Sequence, residues 1–100
     1  MGKPIIWKAR PLKQVRELQE YFFFELGSSQ FFINFLARLN KDLKLISEFP
    51  ESGRPTGRKN VRYVNLGDKR SVFYRIHLNH ISILLIWDSR WNPDKNPYKN

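Results

Sequence analysis

The spacing of apolar residues changes once along this 100-residue chain, and that change limits the folds available to it. Between residues 11 and 48, apolar side chains recur every three or four positions, which is the period of a helix face. After residue 60, they form short alternating or continuous runs that are typical of β-strands. Residues 49–60 contain two prolines and two glycines and are predicted to be a loop. Separate helical and strand regions indicate an α+β fold, in a single domain over residues 1–100.

The helical region divides into two helices. The first is predicted to begin at Pro11, whose missing N–H suits a first turn, and to end at Gly27. Ser28 or Ser29 is the expected N-cap of the second. The two apolar stripes consist of Leu12, Val15, Leu18, Phe22 and Leu26, and of Phe32, Phe35, Leu36, Leu39, Leu43 and Ile46. The short connection between them predicts an antiparallel helical hairpin.

The predicted strands are residues 4–9, 61–66, 71–78 and 81–88. Turns at Gly67–Asp68 and Asn79–His80 would make the last three strands antiparallel. Alternation along 71–78 assigns one face to Val72, Tyr74, Ile76 and Leu78, and the other to Ser71, Phe73, Arg75 and His77. We expect the helices to cover the first face of a small sheet. Arg75 should then lie on the opposite, open face beside other basic residues.

The charge balance indicates an anionic partner. Lys and Arg number 18 against nine Asp and Glu, which gives a formal net charge of +9. Residues 54–100 hold ten of the basic residues and only three of the acidic ones. Such an excess steers a protein toward nucleic acid or an acidic protein.

Composition also argues against several classes of function. There is no cysteine, so disulfides and thiolate metal sites are excluded and the cytoplasm is the expected compartment. The N-terminal apolar run is too short for a signal peptide, and no stretch approaches the ~20 apolar residues that span a bilayer. His77 and His80 are the only histidines and carboxylates are sparse after residue 51, so we expect no metal and no cofactor.

Three motifs occur in order along the chain: "FPESGRP" at residues 49–55, "VFYRI" at 72–76 and "LLIWDSRWNP" at 84–93. With the length, the charge and the order of elements, they resemble the RelE/ParE superfamily of bacterial toxins. The resemblance covers nearly the whole chain. It implies a growth-inhibiting toxin of a type II toxin–antitoxin system, associated with plasmid stabilisation and neutralised by an acidic antitoxin.

The resemblance leaves two targets open. Members of the ParE branch inhibit DNA gyrase, whereas members of the RelE branch enter the ribosome and cut mRNA. Cleavage by a 2′-hydroxyl requires an acid, a base and positive charge over the phosphate. The candidate catalytic residues are Arg75, His77, Arg90 and Tyr98; Tyr98 lies eight residues after Arg90 and could come close to it.

That catalytic set departs from the RelE pattern. Ser71 stands where a ribonuclease member carries an arginine, and Arg62 with Tyr63 replaces paired lysines on the preceding strand. We therefore favour gyrase or another non-nuclease target over mRNA cleavage. A non-toxic RNA-binding module that uses arginines and aromatic stacking is the alternative from another class.

Two binding surfaces are predicted. The basic residues expected to contact the target are Arg62, Lys69, Arg70, Arg75 and Arg90. Arg75 has an alternative role as the ion-pair partner of Asp88, and Arg62, Lys69 and Arg70 could be solvated turn charges. Phe22, Phe23 and Phe24 cannot all face a core from one helix, so we expect an apolar surface there for the antitoxin. Dense core packing is the alternative.

Overall fold

A computed structural model describes residues 2–67 and 69–98 and confirms the α+β class. The elements in chain order are β1 (Ile5–Trp7), α1 (Ala9–Leu26), α2 (Gln30–Glu48), β2 (Arg54–Pro55), β3 (Val61–Asn65), β4 (Arg70–Ile76) and β5 (Ile81–Asp88). Single 3₁₀ turns occur at Pro50–Ser52 and Pro93–Lys95. Asp68 of the predicted Gly67–Asp68 turn lies outside the described residues. Within them, no helix is long and apolar enough to cross a membrane.

The five strands form one mixed sheet in the order β1-β5-β4-β3-β2. β1 runs parallel to β5, and all other neighbours are antiparallel. The three C-terminal strands therefore pair as predicted, with β1 added beside β5 and β2 beside β3.

The helical hairpin follows the predicted stripes. Gly27 has a φ of 64°, the left-handed conformation that glycine adopts without steric cost, and its N–H bonds to the Phe23 carbonyl at 3.1 Å. Ser28 accepts a hydrogen bond from the Gln30 N–H at 3.0 Å, whereas Ser29 makes no side-chain cap.

The main core lies between the hairpin and one sheet face. Its buried members are Leu39, Leu43, Ile46, Leu66, Val72, Tyr74, Ile81 and Ile83. Val72, Tyr74 and Ile76 contribute to this side, as the alternation predicted. The expectation for Leu78 is wrong: β4 ends at Ile76, and Leu78 is 88% exposed.

A β-bulge in β5 changes which face of the sheet its side chains reach. Phe73 pairs with Leu85 and Tyr74 pairs with Ile83, so Leu84 has no opposite residue. The extra residue allows Ile83 to enter the main core while Leu85 points to the other face.

The second sheet face is not bare, contrary to the sequence-based expectation. A smaller core of Val61, Phe73 and Leu85 lies there, with Tyr63, Trp87 and Tyr98 packed around it. The Phe73 ring stacks on Tyr63 at 5.1 Å and on Tyr98 at 6.0 Å between centroids. The chain after β5 therefore folds back and covers the middle of the face that was expected to bind the target.

Candidate target-binding and partner-binding surfaces

Arg75 lies on the open face, as predicted. It pairs in register with Val61 on β3 and with Ser82 on β5, and its side chain is half-buried. The alternative pairing of Arg75 with Asp88 is wrong, because Asp88 pairs in register with Arg70 at the other end of the hairpin.

Arg62 and Arg70 lie on the helical side of the sheet, which corrects the picture of one arginine-rich open face. Arg62 pairs in register with Tyr74, whose side chain is in the main core. Its guanidinium donates to the Gly53 carbonyl at 2.8 Å and to the Glu51 carbonyl at 3.3 Å. Arg62 therefore holds the loop before β2 against the sheet.

Arg70 is buried beneath the helical hairpin. Its guanidinium carbon lies 5.2 Å from the centre of the Phe22 ring, within the range of a cation–π contact. The aromatic residue and the arginine lie 48 positions apart, so only the tertiary fold reveals this contact. Lys69, by contrast, is exposed next to it, and its carbonyl accepts the Ser89 N–H at 2.7 Å.

Asp88 and Arg90 form a salt bridge at the end of β5. Arg90 Nη2 lies 2.6 Å from Asp88 Oδ2, and Nε lies 3.0 Å from Oδ1. The Arg90 backbone N–H also donates to Oδ1 at 2.9 Å. The hydrogen bonds from the Arg90 side chain are the main reason why the pKa of Asp88 is lowered to about 2, and the charge of Arg70 adds to the effect.

A groove of about 530 Å³ opens between α1 and the end of β5, and we call it the α1–β5 groove. Its charged and aromatic lining residues are the cations Arg10, Lys13, Arg70 and Arg90, the carboxylates Glu17 and Asp88, and the rings of Tyr21 and Trp91. Sequence reasoning missed Arg10 and Lys13 as site residues. Their spacing of three puts them on one side of a helix, but only packing brings that side to β5.

The four candidate catalytic residues do not form one cluster, although Arg75 and His77 lie close enough for the charge of Arg75 to lower the pKa of His77. Arg75 pairs with Ser82, whereas Arg90 follows Asp88, so they are separated by roughly 20 Å of strand. Tyr98 stacks on Phe73 on the open face, and Arg90 lines the groove on the helical side. The contacts seen for Tyr98 and Arg90 are therefore different, the aromatic ring of Phe73 for one and the residues of the groove for the other.

His77 lies just past the end of β4. Its Nε2 is 3.0 Å from the Ser82 hydroxyl, and its ring stacks on His80 at 4.2 Å with an interplanar angle of 10°. Burial and then the charges of His80 and Arg75 lower the pKa of His77. Within residues 2–67 and 69–98, no group of three or more His, Cys, Asp or Glu is placed to hold a metal ion.

The three phenylalanines of α1 divide between the core and the surface. Phe22 is 7% exposed, whereas Phe23 is 58% and Phe24 is 76% exposed. Phe31 and Ile33 of α2 are more than half exposed at the same end of the hairpin. We call Phe23, Phe24, Phe31 and Ile33 the aromatic tip. An exposed apolar cluster of this kind is typical of a protein-binding surface.

These features define a class of protein: a small basic α+β domain whose surfaces suit macromolecular partners. Over residues 5–93, the chain matches the family model of the ParE toxin of the type II toxin–antitoxin system parDE. The chain belongs to this toxin family. A comparison with curated protein sequences gives no match.

The fold is also similar to a solved structure described as the chromosomal ParDE TA system from P. aeruginosa. The TM-score is 0.72, the sequence identity is 17%, and the match covers 87% of this chain and 96% of that chain. At this identity the likeness shows the fold alone, and it agrees with the strand, hairpin and sheet order described above.

Proposed function

We propose that this toxin poisons its target by binding it, with DNA gyrase as the target, and that it does not cleave RNA. The observation that supports the proposal is the separation of Arg75, Arg90 and Tyr98. A nuclease needs its acid, its base and its phosphate-binding cation around one reacting bond. Here these groups lie on different faces and at different ends of the sheet. Both gyrase and the ribosome are intracellular, so the proposed site of action is the cytoplasm.

The exposed basic residues are the proposed target contacts. Arg75 on the open face, Lys69 beside the β3–β4 turn and Arg90 at the groove have side chains that reach the surface. Arg62 and Arg70 were also expected to contact the target, but their bonds to loop carbonyls and to Phe22 suit a structural role.

The proposed antitoxin surface consists of the aromatic tip and the α1–β5 groove. An amphipathic helix could place its apolar side on Phe23 and Phe24. Acidic residues of the same partner would meet the cations Arg10, Lys13 and Arg90 in the groove. This arrangement explains why an acidic antitoxin would bind tightly to a protein of charge +9.

Induced expression tests the toxin assignment. The chain alone should arrest bacterial growth, and co-expression of the acidic protein encoded beside it should restore growth. Sustained growth of cells that contain folded, soluble protein would contradict toxicity.

In vitro assays distinguish the two targets. Purified protein should inhibit supercoiling by DNA gyrase and leave mRNA intact on translating ribosomes. Codon-specific mRNA cleavage that disappears in Arg90→Ala would instead establish the RelE-type nuclease and refute the proposed target.

A further inference from the structure

A cluster of cationic side chains lies at the end of the sheet where β4 connects to β5, opposite the end that carries Asp88. Lys3 and Lys8 flank β1, Arg75 lies near the end of β4, and His77 and His80 belong to the β4–β5 connection. We call these five residues the cationic corner. Lys3 Nζ donates to the His77 carbonyl at 2.7 Å, and the Ile81 N–H bonds to the Pro4 carbonyl at 2.9 Å, so the segments are held together.

The cationic corner lacks compensating negative charge. None of its five residues forms a salt bridge with a carboxylate in the described part of the chain. The pKa of His77 is lowered first by burial and then by His80, Arg75, Lys8 and Lys3, and no carboxylate offsets these four. Positive charges collected in this way repel one another, and a bound anion relieves that repulsion.

The two histidines make the corner sensitive to proton binding. Their rings are stacked at a centroid distance of 4.2 Å, so charging both would place two positive charges in contact. An anion over the corner lowers this cost and favours protonation of the pair. By linkage, protonation then strengthens binding of the anion.

The spacing of the cations suits a polymer of phosphates. β1, β5 and β4 are adjacent strands, so the backbones of Lys8 beside β1 and Arg75 on β4 are separated by about 10 Å across two strand spacings, with a further offset of about two residues along the strands. One strand of DNA carries about three phosphates over that distance along its axis. An acidic protein helix would need a groove, and no corner residue is among those that line the grooves beside α1 and α2.

We propose that the cationic corner binds the phosphate backbone of nucleic acid, and that its affinity rises as the stacked histidines protonate. This site goes beyond the proposed function, since it requires neither toxicity nor an antitoxin. It adds Lys3, Lys8 and His80 to the residues with a role in binding.

Fluorescence anisotropy with a short labelled DNA duplex of mixed sequence tests the site at about pH 5 and about pH 8, the lower value being chosen because the pKa of His77 lies below its ordinary range. The native protein should bind several-fold more tightly at the lower pH. The double variant Lys8→Gln/Arg75→Gln should bind about tenfold more weakly, and the slope of log K against log salt should fall by about 1.8 for two lost phosphate contacts. The variant His77→Gln/His80→Gln should lose the pH effect, because the chain has no other histidine.

The matched control removes two charges from another surface. Lys41→Gln/Lys44→Gln changes exposed residues of α2 and gives the same net charge as the corner variant. Equal weakening in both variants would show a general effect of net charge and overturn the proposal. So would unchanged binding by the corner variant, or stronger competition by polyglutamate than by DNA at equal charge.

Folding and toxicity are measured separately. Thermal unfolding should show that the variants are folded, and Lys3→Gln/Lys8→Gln replaces the Arg75 variant if the latter is unstable. Loss of DNA binding in Lys3→Gln/Lys8→Gln, which changes no proposed target contact, together with retained growth arrest would support the corner while separating it from the toxic activity.

Discussion

Asp88 is a buried carboxylate at the end of β5. It accepts hydrogen bonds from both the side chain and the backbone of Arg90. Because Arg70 adds a further positive charge, the carboxylate is stabilised in its ionised form. Asp88 therefore balances two of the cations that line the α1–β5 groove.

Stability should depend on the ionisation of Asp88. Its pKa is about 2 in the folded chain against an ordinary 3.8, so its contribution is present above pH 3.8 and is lost as the pH falls through the folded value. The shift corresponds to about 2 kcal/mol. Urea unfolding should show that Asp88→Asn lowers the free energy of unfolding by about this amount at neutral pH. The variant should also lose less stability than the native protein as the pH falls below about 4. The control Glu20→Gln changes an exposed carboxylate, and an equal effect of both substitutions would contradict the role of Asp88.

Tyr74 holds the loop before β2 through its hydroxyl. That hydroxyl donates to the Pro50 carbonyl at 2.6 Å and accepts the Gly53 N–H at 3.0 Å. A Cβ on Gly53 would lie 2.9 Å from the Tyr63 carbonyl, so the loop approaches the sheet too closely for a larger residue. The glycine of the "FPESGRP" motif thus has a steric function.

Tyr74→Phe should destabilise the protein by about 1–3 kcal/mol, because two polar groups lose their partner in a buried place. Chemical denaturation provides the measurement. Tyr63→Phe is the matched control, with an expected change within about 0.5 kcal/mol, since Tyr63 is only half-buried. Equal stability of the two variants would be evidence against the role of the Tyr74 hydroxyl.

Among the elements, α1 bonds the part of β5 that β1 does not reach. β1 pairs with only the first residues of β5, from Ile81 to Ile83. Further along, Gln14 of α1 donates to the Ile86 carbonyl at 2.8 Å and accepts the Ile86 N–H at 2.8 Å. One side-chain amide therefore satisfies both backbone groups, as a neighbouring peptide would.

Substitution of Gln14 should leave backbone groups of Ile86 without their hydrogen-bond partner. Gln14→Glu retains an acceptor for the Ile86 N–H but loses the donor to the Ile86 carbonyl, and Gln14→Ala loses both. We expect a loss of stability of about 1 kcal/mol or more and, in Gln14→Ala, faster hydrogen exchange at the Ile86 amide. Gln19→Ala, an exposed position on the same helix, should leave that amide protected. Unchanged exchange in Gln14→Ala would refute the pairing.

At the scale of the whole molecule, both sheet faces are covered but to different extents. The hairpin buries one face, and the segment that ends at Tyr98 covers the middle of the other. The aromatic tip groups four exposed apolar side chains at one end of the hairpin. Cations collect elsewhere, at the groove and at the cationic corner. A partner that binds the aromatic tip therefore meets an apolar surface, whereas a partner that binds the groove or the corner meets positive charge.

Antitoxin binding should combine apolar and ionic contributions, which the dependence of the affinity on salt concentration can distinguish. Phe23→Ser/Phe24→Ser should weaken binding at least tenfold at any ionic strength and change stability by less than about 0.5 kcal/mol, because both rings are exposed. Arg10→Gln/Lys13→Gln should weaken binding mainly at low salt. Isothermal titration calorimetry over a range of salt concentrations measures both effects. Affinity of the phenylalanine variant equal to that of the native protein would contradict the assignment of the tip.

Local periodicity was sufficient to predict the elements and the helix-facing side of β4. The stripe from Leu39 to Ile46, the stop at Gly27 and the strand around Tyr74 all follow from spacing that a short segment carries within itself. The basic excess also follows from the sequence, since charge is additive. The error at Leu78 arose because alternation continued past the point where β4 loses its partners.

Only the tertiary structure determined where the arginines lie and which of them act together. Side-chain direction in a strand follows register, and one bulge at Leu84 or one residue of shift reverses it. Arg70 contacts Phe22, Arg90 joins Arg10, and Tyr98 covers Phe73, and each contact links segments distant in the chain. The sequence by itself determined the helices, most of the strand pairing and the sign of the charge, whereas long-range packing decided how that charge divides among separate surfaces.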